Sequence, residues 1–345
     1  LIQETMGVKR IAVIGAGVSG LGAIKCCLEE GLEPTCFEKK SDIGGLWKYE
    51  EIPKSGNLGI YKSLTCNTSK EMTAFSDYPI PDHYPNYMHH SKMMEYLRMY
   101  ARHFGLMKHI QFQTNVCNIK KRPDFSSSGQ WDVVVETEEM QKTYIFDGIM
   151  VCSGHYTEKY FPLQDFEGIS KFQGSYLHTW EYKHPDNFVG KRVAVIGLGN
   201  SGADVAGEIS RVADQVWFLS DDLPNRIIIG KVKIKPNVKE FTSTSAIFED
   251  GTKENIDVVI FATGYKLSFP FLSDDSGVLD NQYSMFKYVF PPELEKPTLA
   301  FIGILQPAGA ILPTSELQSR WVVHVFKGIK KLPSRRAMIA DINRK

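Results

Sequence analysis

The stretch that decides the fold is KRIAVIGAGVSG, residues 9–20. Lys9–Ile14 is a short β-branched run that predicts a buried strand, and it ends in Gly15-Ala16-Gly17-Val18-Ser19-Gly20. Leu21, Ile24, Cys27 and Leu28 then recur at helical spacing until Gly31, and Glu33–Phe37 predicts a second strand closed by Glu38. Strand, G-x-G-x-x-G, helix, strand, acid is the order of a dinucleotide-binding turn. Its first two glycines permit the tight turn and the approach of backbone to a pyrophosphate, and the third lets helix and strand pack closely. The pyrophosphate rests on the helix N-terminus, where free N–H groups and the dipole favour an anion. Glu38, 23 residues after Gly15, is placed to accept hydrogen bonds from the ribose hydroxyls of an adenosine.

The pattern occurs twice. Arg192–Ile196 predicts a strand, Gly197-Leu198-Gly199-Asn200-Ser201-Gly202 the turn, Ala203–Ser210 a helix and Gln215–Leu219 the next strand. The counterpart of Glu38 is here Ser220, which removes the repulsion an acid would impose on a 2′-phosphate. Two such units point to a two-dinucleotide flavoprotein, one unit holding FAD and the other a nicotinamide that reduces it. The competing reading is one cofactor and a decayed copy.

The remaining composition narrows the class. A chain of 345 residues exceeds the usual size of one domain, so two are expected. Its 40 basic and 40 acidic side chains cancel, which leaves no electrostatic case for nucleic acid or an anionic membrane surface. The six cysteines form no C-x-x-C, which argues against a redox dithiol or zinc ribbon and for buried thiols in a reducing compartment. The histidines show no ligand spacing, so no metal site is expected, and His89-His90 reads as a surface or capping feature ahead of a helix. No secretory signal opens the chain, and no apolar run approaches the roughly 18 residues of a membrane span. Met6 followed by Gly-Val-Lys-Arg reads as a natural start, with Leu1–Thr5 upstream of it.

Between the turns, Asp42-Ile43-Gly44-Gly45-Leu46-Trp47 offers paired glycines that let the backbone pass near a ligand, with Trp47 as a cover for the flavin region. Ser91 is expected to cap a helix that runs through Phe104 and ends at Gly105. A meander is expected at Gln111–Ile119, Trp131–Glu136 and Tyr144–Cys152. The last of these ends in Cys152-Ser153-Gly154, and Val258–Tyr265 ends the same way around Gly264. Thr298–Gly303 reads as a further strand and Ser315–Gly328 as a helix.

Phe172-x-Gly174-x-x-x-His178-x-x-x-Tyr182, just ahead of the second turn, resembles the fingerprint of flavin-dependent class B monooxygenases. Together with Asn67-Thr68-Ser69-Lys70-Glu71-Met72 and Phe261-Ala262-Thr263-Gly264-Tyr265, it makes the chain similar to the animal flavin-containing monooxygenases of the dimethylaniline N-oxide-forming type, from Met6 to Lys345. Tyr182, where the related Baeyer–Villiger enzymes usually carry Trp, favours the N- and S-oxygenating branch.

The resemblance implies an α/β protein of two Rossmann-like domains, an FAD domain (1–165 and 266–345) with an NADP domain (166–265) inserted. It implies that NADPH reduces FAD, that O₂ adds to give a C4a-hydroperoxide, and that soft amine or sulfur nucleophiles take the distal oxygen, as in xenobiotic metabolism. By the same resemblance Gly15, Ala16, Gly17, Val18, Ser19, Glu38, Leu46, Trp47, Asn67 and Thr68 touch FAD, with Gly20 and Gly45 shaping its cradle. Cys66, Asn67, Ser201, Gly202, Ala203 and Asp204 touch NADP, on the turn of Gly197 and Gly199. Asn67 is the candidate catalytic side chain, because an amide at the flavin edge donates and accepts without adding charge. His178 is expected to shape the interdomain linker rather than to move protons. The family also implies the cytosolic face of the endoplasmic reticulum membrane, held by an apolar anchor beyond the point matching Lys345.

One stretch departs from the family. There, the strand matching Gln215–Leu219 continues into Ser-Thr-Arg, whose Arg reads the 2′-phosphate, followed by a largely helical block of several dozen residues. This chain keeps Ser220 and passes directly to Asp221-Asp222-Leu223-Pro224-Asn225-Arg226. Loss of one Arg–phosphate contact weakens NADPH by roughly 10- to 100-fold. The alternative function is therefore an inactive or uncoupled FAD-binding form that lacks the 2′-phosphate site. Neither the preferred substrate nor the oligomeric state is encoded in these motifs.

Overall fold

The computed structural model describes residues 9–52, 59–156, 158–219, 232–273 and 284–344. The chain divides into two compact units, one made of Leu1–Lys48, Leu64–Thr157 and Leu267–Lys345, the other of Tyr49–Ser63 and Glu158–Lys266. The second unit thus takes in Tyr49–Ser63, a segment that the motif order groups with the first.

The first unit is built on a five-stranded sheet in the order Leu299–Phe301, Gly148–Val151, Arg10–Ile14, Glu33–Phe37, Ile110–Gln111. Every pairing in it is parallel. A parallel sheet is covered on both faces, which is why its strands read as unbroken apolar runs. Alternate side chains divide between the two covers. Ile11, Val13, Cys36 and Met150 pack with residues of the helices Val18–Glu29, His90–His103 and Ile311–Phe326. Ala12, Ile14, Phe37 and Val151 pack with Trp131, Val133, Val135 and Phe146. Those last four belong to an antiparallel sheet of Asn115–Lys121, Trp131–Glu136 and Gln141–Phe146.

Two expected strands prove to be two each. Gln111–Ile119 breaks at Gln113, whose φ of 52° turns the chain from the parallel sheet into the antiparallel one. Tyr144–Cys152 breaks at Asp147, between Gln141–Phe146 in one sheet and Gly148–Val151 in the other. Asp147 Oδ2 accepts from the backbone N–H groups of Arg10 (2.9 Å) and Lys9 (3.1 Å), and Oδ1 accepts from Gln130 Nε2 (2.8 Å). An apolar run records burial but not which sheet buries it, so neither break was visible in the pattern. The helix expected from Ser91 begins at His90, and its cap is His89, whose Nδ1 accepts from Ser91 N (3.3 Å). The helix expected from Ser315 starts at Ile311, with Pro313 in its first turn, where no intrahelical N–H is required.

The second unit repeats the plan. Its parallel sheet runs Val232–Lys235, Gln215–Leu219, Arg192–Ile196, Val258–Phe261, Ser175–His178. In both sheets the turn-bearing strand is central, with the following strand on one side and the later glycine-ended strand on the other. The helix after the second turn is Asn200–Ile209, which starts three residues earlier than expected. A small antiparallel sheet of Val238–Phe241, Ser245–Phe248 and Lys253–Asn255 completes the unit. Residues 220–231 lie outside the described residues, and with them Ser220, Asp221 and Asp222.

Asp147 gives the fold a testable pH dependence. Burial pulls its pKa up, but the hydrogen bonds from Arg10 N, Gln130 and Lys9 N outweigh burial and hold it below the usual carboxylate range. Such a group stabilises the fold fully above its unfolded value, about 4, and progressively less as pH falls through the depressed folded value. Asp147→Asn is expected to lower Tm by a few degrees between pH 5 and 7. Thermal melts across pH should show that gap closing below about pH 4.

Candidate functional site

The first turn is shaped by two close approaches. Gly15 has φ 99°, and a Cβ there would lie 2.9 Å from the Cys152 carbonyl oxygen. A Cβ on Gly20 would lie 1.9 Å from the Gly15 carbonyl oxygen, so only glycine lets the helix settle on the strand end. The Val18–Glu29 helix starts at Gly17 with no side chain capping it and no acid in its first turn. Its N-terminal N–H groups are therefore free for an anion. Glu38 is buried, and its carboxylate accepts from Ala16 N (2.7 Å) and Lys40 N (2.8 Å). Each oxygen keeps a further lone pair for a ribose hydroxyl.

The Gly44-Gly45 pair folds back on this turn. Gly44 N donates to Ala16 O (3.0 Å), and a Cβ on Gly45 would lie 3.1 Å from Gly17 Cα. Leu46 and Trp47 follow in a short 3₁₀ turn, both half-buried. Trp47 packs against the same core cluster as Cys66. Asn67 is exposed, and Thr68 Oγ1 shares a hydrogen bond with Thr73 Oγ1 (2.8 Å). Burial pushes the Cys66 thiol up to about 11, so it is a neutral SH at physiological pH. Further along the same strand ends, Ser153 Oγ and His155 Nε2 are buried with no hydrogen-bond partner among the described residues. Backbone that a side chain would obstruct, a bare helix N-terminus and two buried polar atoms awaiting partners fit a bound FAD.

The second turn, in the other unit, has the same geometry. Gly197 has φ 114°, and a Cβ there would lie 2.4 Å from the Ala262 carbonyl oxygen. A Cβ on Gly202 would lie 2.1 Å from the Gly197 carbonyl oxygen, while Gly199 faces open space. The Asn200–Ile209 helix likewise has no side-chain cap and no acid in its first turn. Ser201 and Asp204 are exposed and Ala203 half-buried on its first turns. This arrangement fits the pyrophosphate of a second dinucleotide.

Three residues of this unit escaped the motif reading. The Tyr61 hydroxyl donates to Asp204 Oδ2 (2.5 Å). The Tyr182 hydroxyl donates to Glu208 Oε2 (2.7 Å), and Ser63 Oγ donates to the same oxygen (2.9 Å). Asp204 and Glu208 stand one helical turn apart, so together they hold Tyr61–Ser63 and the fingerprint tyrosine along one helix face. Only the i, i+4 acid pair hinted at this. The fingerprint histidine is fully buried: its Nε2 bonds Gly264 O (3.0 Å) and its Nδ1 accepts from Trp180 N (3.1 Å). A carbonyl acceptor on one nitrogen and an N–H donor on the other fix His178 as a neutral tautomer. Burial also lowers its pKa.

Two outcomes follow from these contacts. Glu38→Ala leaves Ala16 N without its acceptor in a buried site and is expected to destabilise the first unit by about 1–3 kcal/mol, with loss of co-purified flavin. Melting curves and the flavin-to-protein absorbance ratio check this. Tyr182→Phe is expected to lower Tm by a few degrees, and Glu208→Gln, which keeps one acceptor oxygen, by less.

The chain also has relatives of known type. The family described as flavin-binding monooxygenase-like matches residues 8–220 and 215–345. Flavin-containing monooxygenase 5 of Rattus norvegicus is 53% identical over 411 residues, which covers 98% of this chain and 77% of that protein. Human flavin-containing monooxygenase 2 is 47% identical over 407 residues, covering 97% and 76%. Among solved structures, S-allyl-L-cysteine S-oxygenase from Allium sativum superposes with a TM-score of 0.88 at 28% identity, over 97% of this chain and 81% of that one. The 411 aligned residues exceed the 345 of this chain, so the rat protein carries at least 66 residues in that span that are absent here. The two family segments meet at 215–220. Both glycine turns lie within those segments, and the chain belongs to the flavin-binding monooxygenase-like family, whose members work with FAD and NADPH.

Proposed function

We propose that this chain uses NADPH and O₂ to oxygenate soft amine or sulfur nucleophiles at an FAD held by its first unit. The observation that carries the reading is the twofold occurrence, in one chain, of an uncapped helix N-terminus behind the same pair of glycine contacts. When bound and reduced, FAD supplies the activation of O₂ and the transfer of one oxygen atom.

The chain's own residues bind, orient and exclude water. The Gly17–Gly20 helix start holds the FAD pyrophosphate, and Glu38 receives the adenosine ribose. Gly45, Leu46 and Trp47 cover the cradle, with Thr68 at its margin. Asn67 offers a neutral amide at the flavin edge. Cys66, kept protonated by burial, adds no thiolate to compete with substrate for the oxygen. In the second unit Gly197, Gly199, Ser201, Gly202, Ala203 and the backbone of Asp204 hold the NADPH pyrophosphate. Placement on the cytosolic face of the endoplasmic reticulum is proposed from the family alone; among the described residues no helix is long and apolar enough to cross a membrane.

A second reading, an uncoupled form that binds FAD but oxygenates nothing, is favoured by the split of the family match into two segments that overlap at 215–220, with at least 66 residues of the rat protein's aligned span absent here. Both readings are tested by anaerobic bleaching of bound FAD, titrated separately with NADPH and NADH. Bleaching by micromolar NADPH supports the monooxygenase. Bleaching only by millimolar NADH, with hydrogen peroxide formed in air in step with NADH consumed, establishes the uncoupled form. With a sulfide substrate, Asn67→Ala is expected to lower kcat at least tenfold while FAD content stays unchanged; product and peroxide yields measure it.

A further inference from the structure

The end of the Gly148–Val151 strand carries two side chains that the proposed function does not use. His155 Nδ1 lies 3.2 Å from the Gly303 carbonyl oxygen, and its Nε2 is buried without a partner among the described residues. A carbonyl oxygen only accepts, so Nδ1 carries the proton and Nε2 presents a lone pair. Burial lowers the His155 pKa and keeps the ring in that neutral form. Ser153 Oγ, two residues earlier, is also buried and unpartnered among the described residues. Both sit where dinucleotide-binding backbone converges. Ser153 Cα would lie 3.5 Å from a Cβ on Gly15. Gly303 packs so tightly on Ser19, in the first turn of the nucleotide helix, that a Cβ on it would lie 2.1 Å from Ser19 Oγ. Gln318 Oε1 accepts from Gly303 N (2.9 Å) and holds the carbonyl that orients His155.

A buried lone pair needs a donor. A phosphate offers only acceptors, so Nε2 does not face the pyrophosphate. Two parts of FAD next to the pyrophosphate carry hydroxyl donors, the adenosine ribose and the ribityl chain; Glu38 takes the first, which leaves the ribityl chain for His155. We infer that Ser153 and His155 form the subsite for the ribityl chain, with His155 Nε2 accepting a hydrogen bond from a ribityl hydroxyl and Ser153 Oγ bonding a neighbouring one. The inference rests on the first unit's binding FAD.

The test compares FAD with ADP on the apo chain, FAD affinity by flavin fluorescence quenching and ADP affinity by its competition against FAD. ADP carries the adenosine and pyrophosphate but lacks the ribityl and the flavin. His155→Asn keeps a donor near Nδ1 for Gly303 and removes the acceptor at Nε2, while His155→Gln places an amide near the Nε2 position. FAD affinity should fall about 5- to 10-fold in His155→Asn, with the ADP competition constant unchanged and FAD affinity largely restored in His155→Gln. Equal weakening of FAD and ADP would assign His155 to folding alone, and unchanged FAD affinity in His155→Asn would remove it from the site; either result overturns the inference. A wild-type chain that fails to bind FAD at all would instead sink the flavin reading on which it rests.

Discussion

The nucleotide-binding architecture depends on one contact, the Cα of a third-position glycine against the carbonyl of the first. At Gly20 on Gly15 and at Gly202 on Gly197 a methyl group would sit about 2 Å from that oxygen. Any side chain there would lift the helix off its strand, and the helix N-terminus would lose its aim at the pyrophosphate. The first glycine, at positive φ, presses in turn against the end of the neighbouring strand, at Cys152 or Ala262. Turn, helix start and neighbouring strand end are thus fixed as one object, and it occurs in both units.

Around that object the first unit solves a problem of burial. Its parallel sheet is sandwiched between helices and a small antiparallel sheet, and the chain changes sheets at Gln113 and Asp147. Asp147 makes the second change possible by binding the N–H groups that open the Arg10–Ile14 strand. On the helical face Lys25, only 2% exposed, is paired with Glu29 (2.8 Å) and Asp77. Burial pulls its pKa down, but the two carboxylates outweigh burial and keep it charged. Arg320, on the Ile311–Phe326 helix, bonds Glu316 (2.7 Å) and reaches Asp77 (3.5 Å) and Glu29 (3.3 Å), which ties the late helix to the first. That tie holds Gln318 and Gly303 in register with the turn.

In the second unit the acids on the nucleotide helix are occupied by the protein itself. Asp204 and Glu208 receive Tyr61, Ser63 and Tyr182, so the fingerprint tyrosine acts as a strut on the helix that starts at the turn. The fingerprint histidine is a second strut, bonded through both ring nitrogens. Two members of the fingerprint, His178 and Tyr182, thus hold the frame of the second unit.

The sequence by itself determined the two turns, the parallel strands that bear them and Glu38 at the end of its strand, because each depends on local spacing and on glycines that tolerate no substitute. The absence of a C-x-x-C pair anticipated unbridged thiols, and all of them but the half-buried Cys117 are buried. The breaks at Gln113 and Asp147, the His89 cap and the grouping of Tyr49–Ser63 with the second unit were decided only by tertiary structure. So were Glu208 as a shared acceptor and the unpartnered Nε2 of His155. Each of these is a relation between residues far apart in the chain. Apolar periodicity reports that a side chain is buried, but which sheet, helix or carbonyl it meets is settled when the strands are laid side by side.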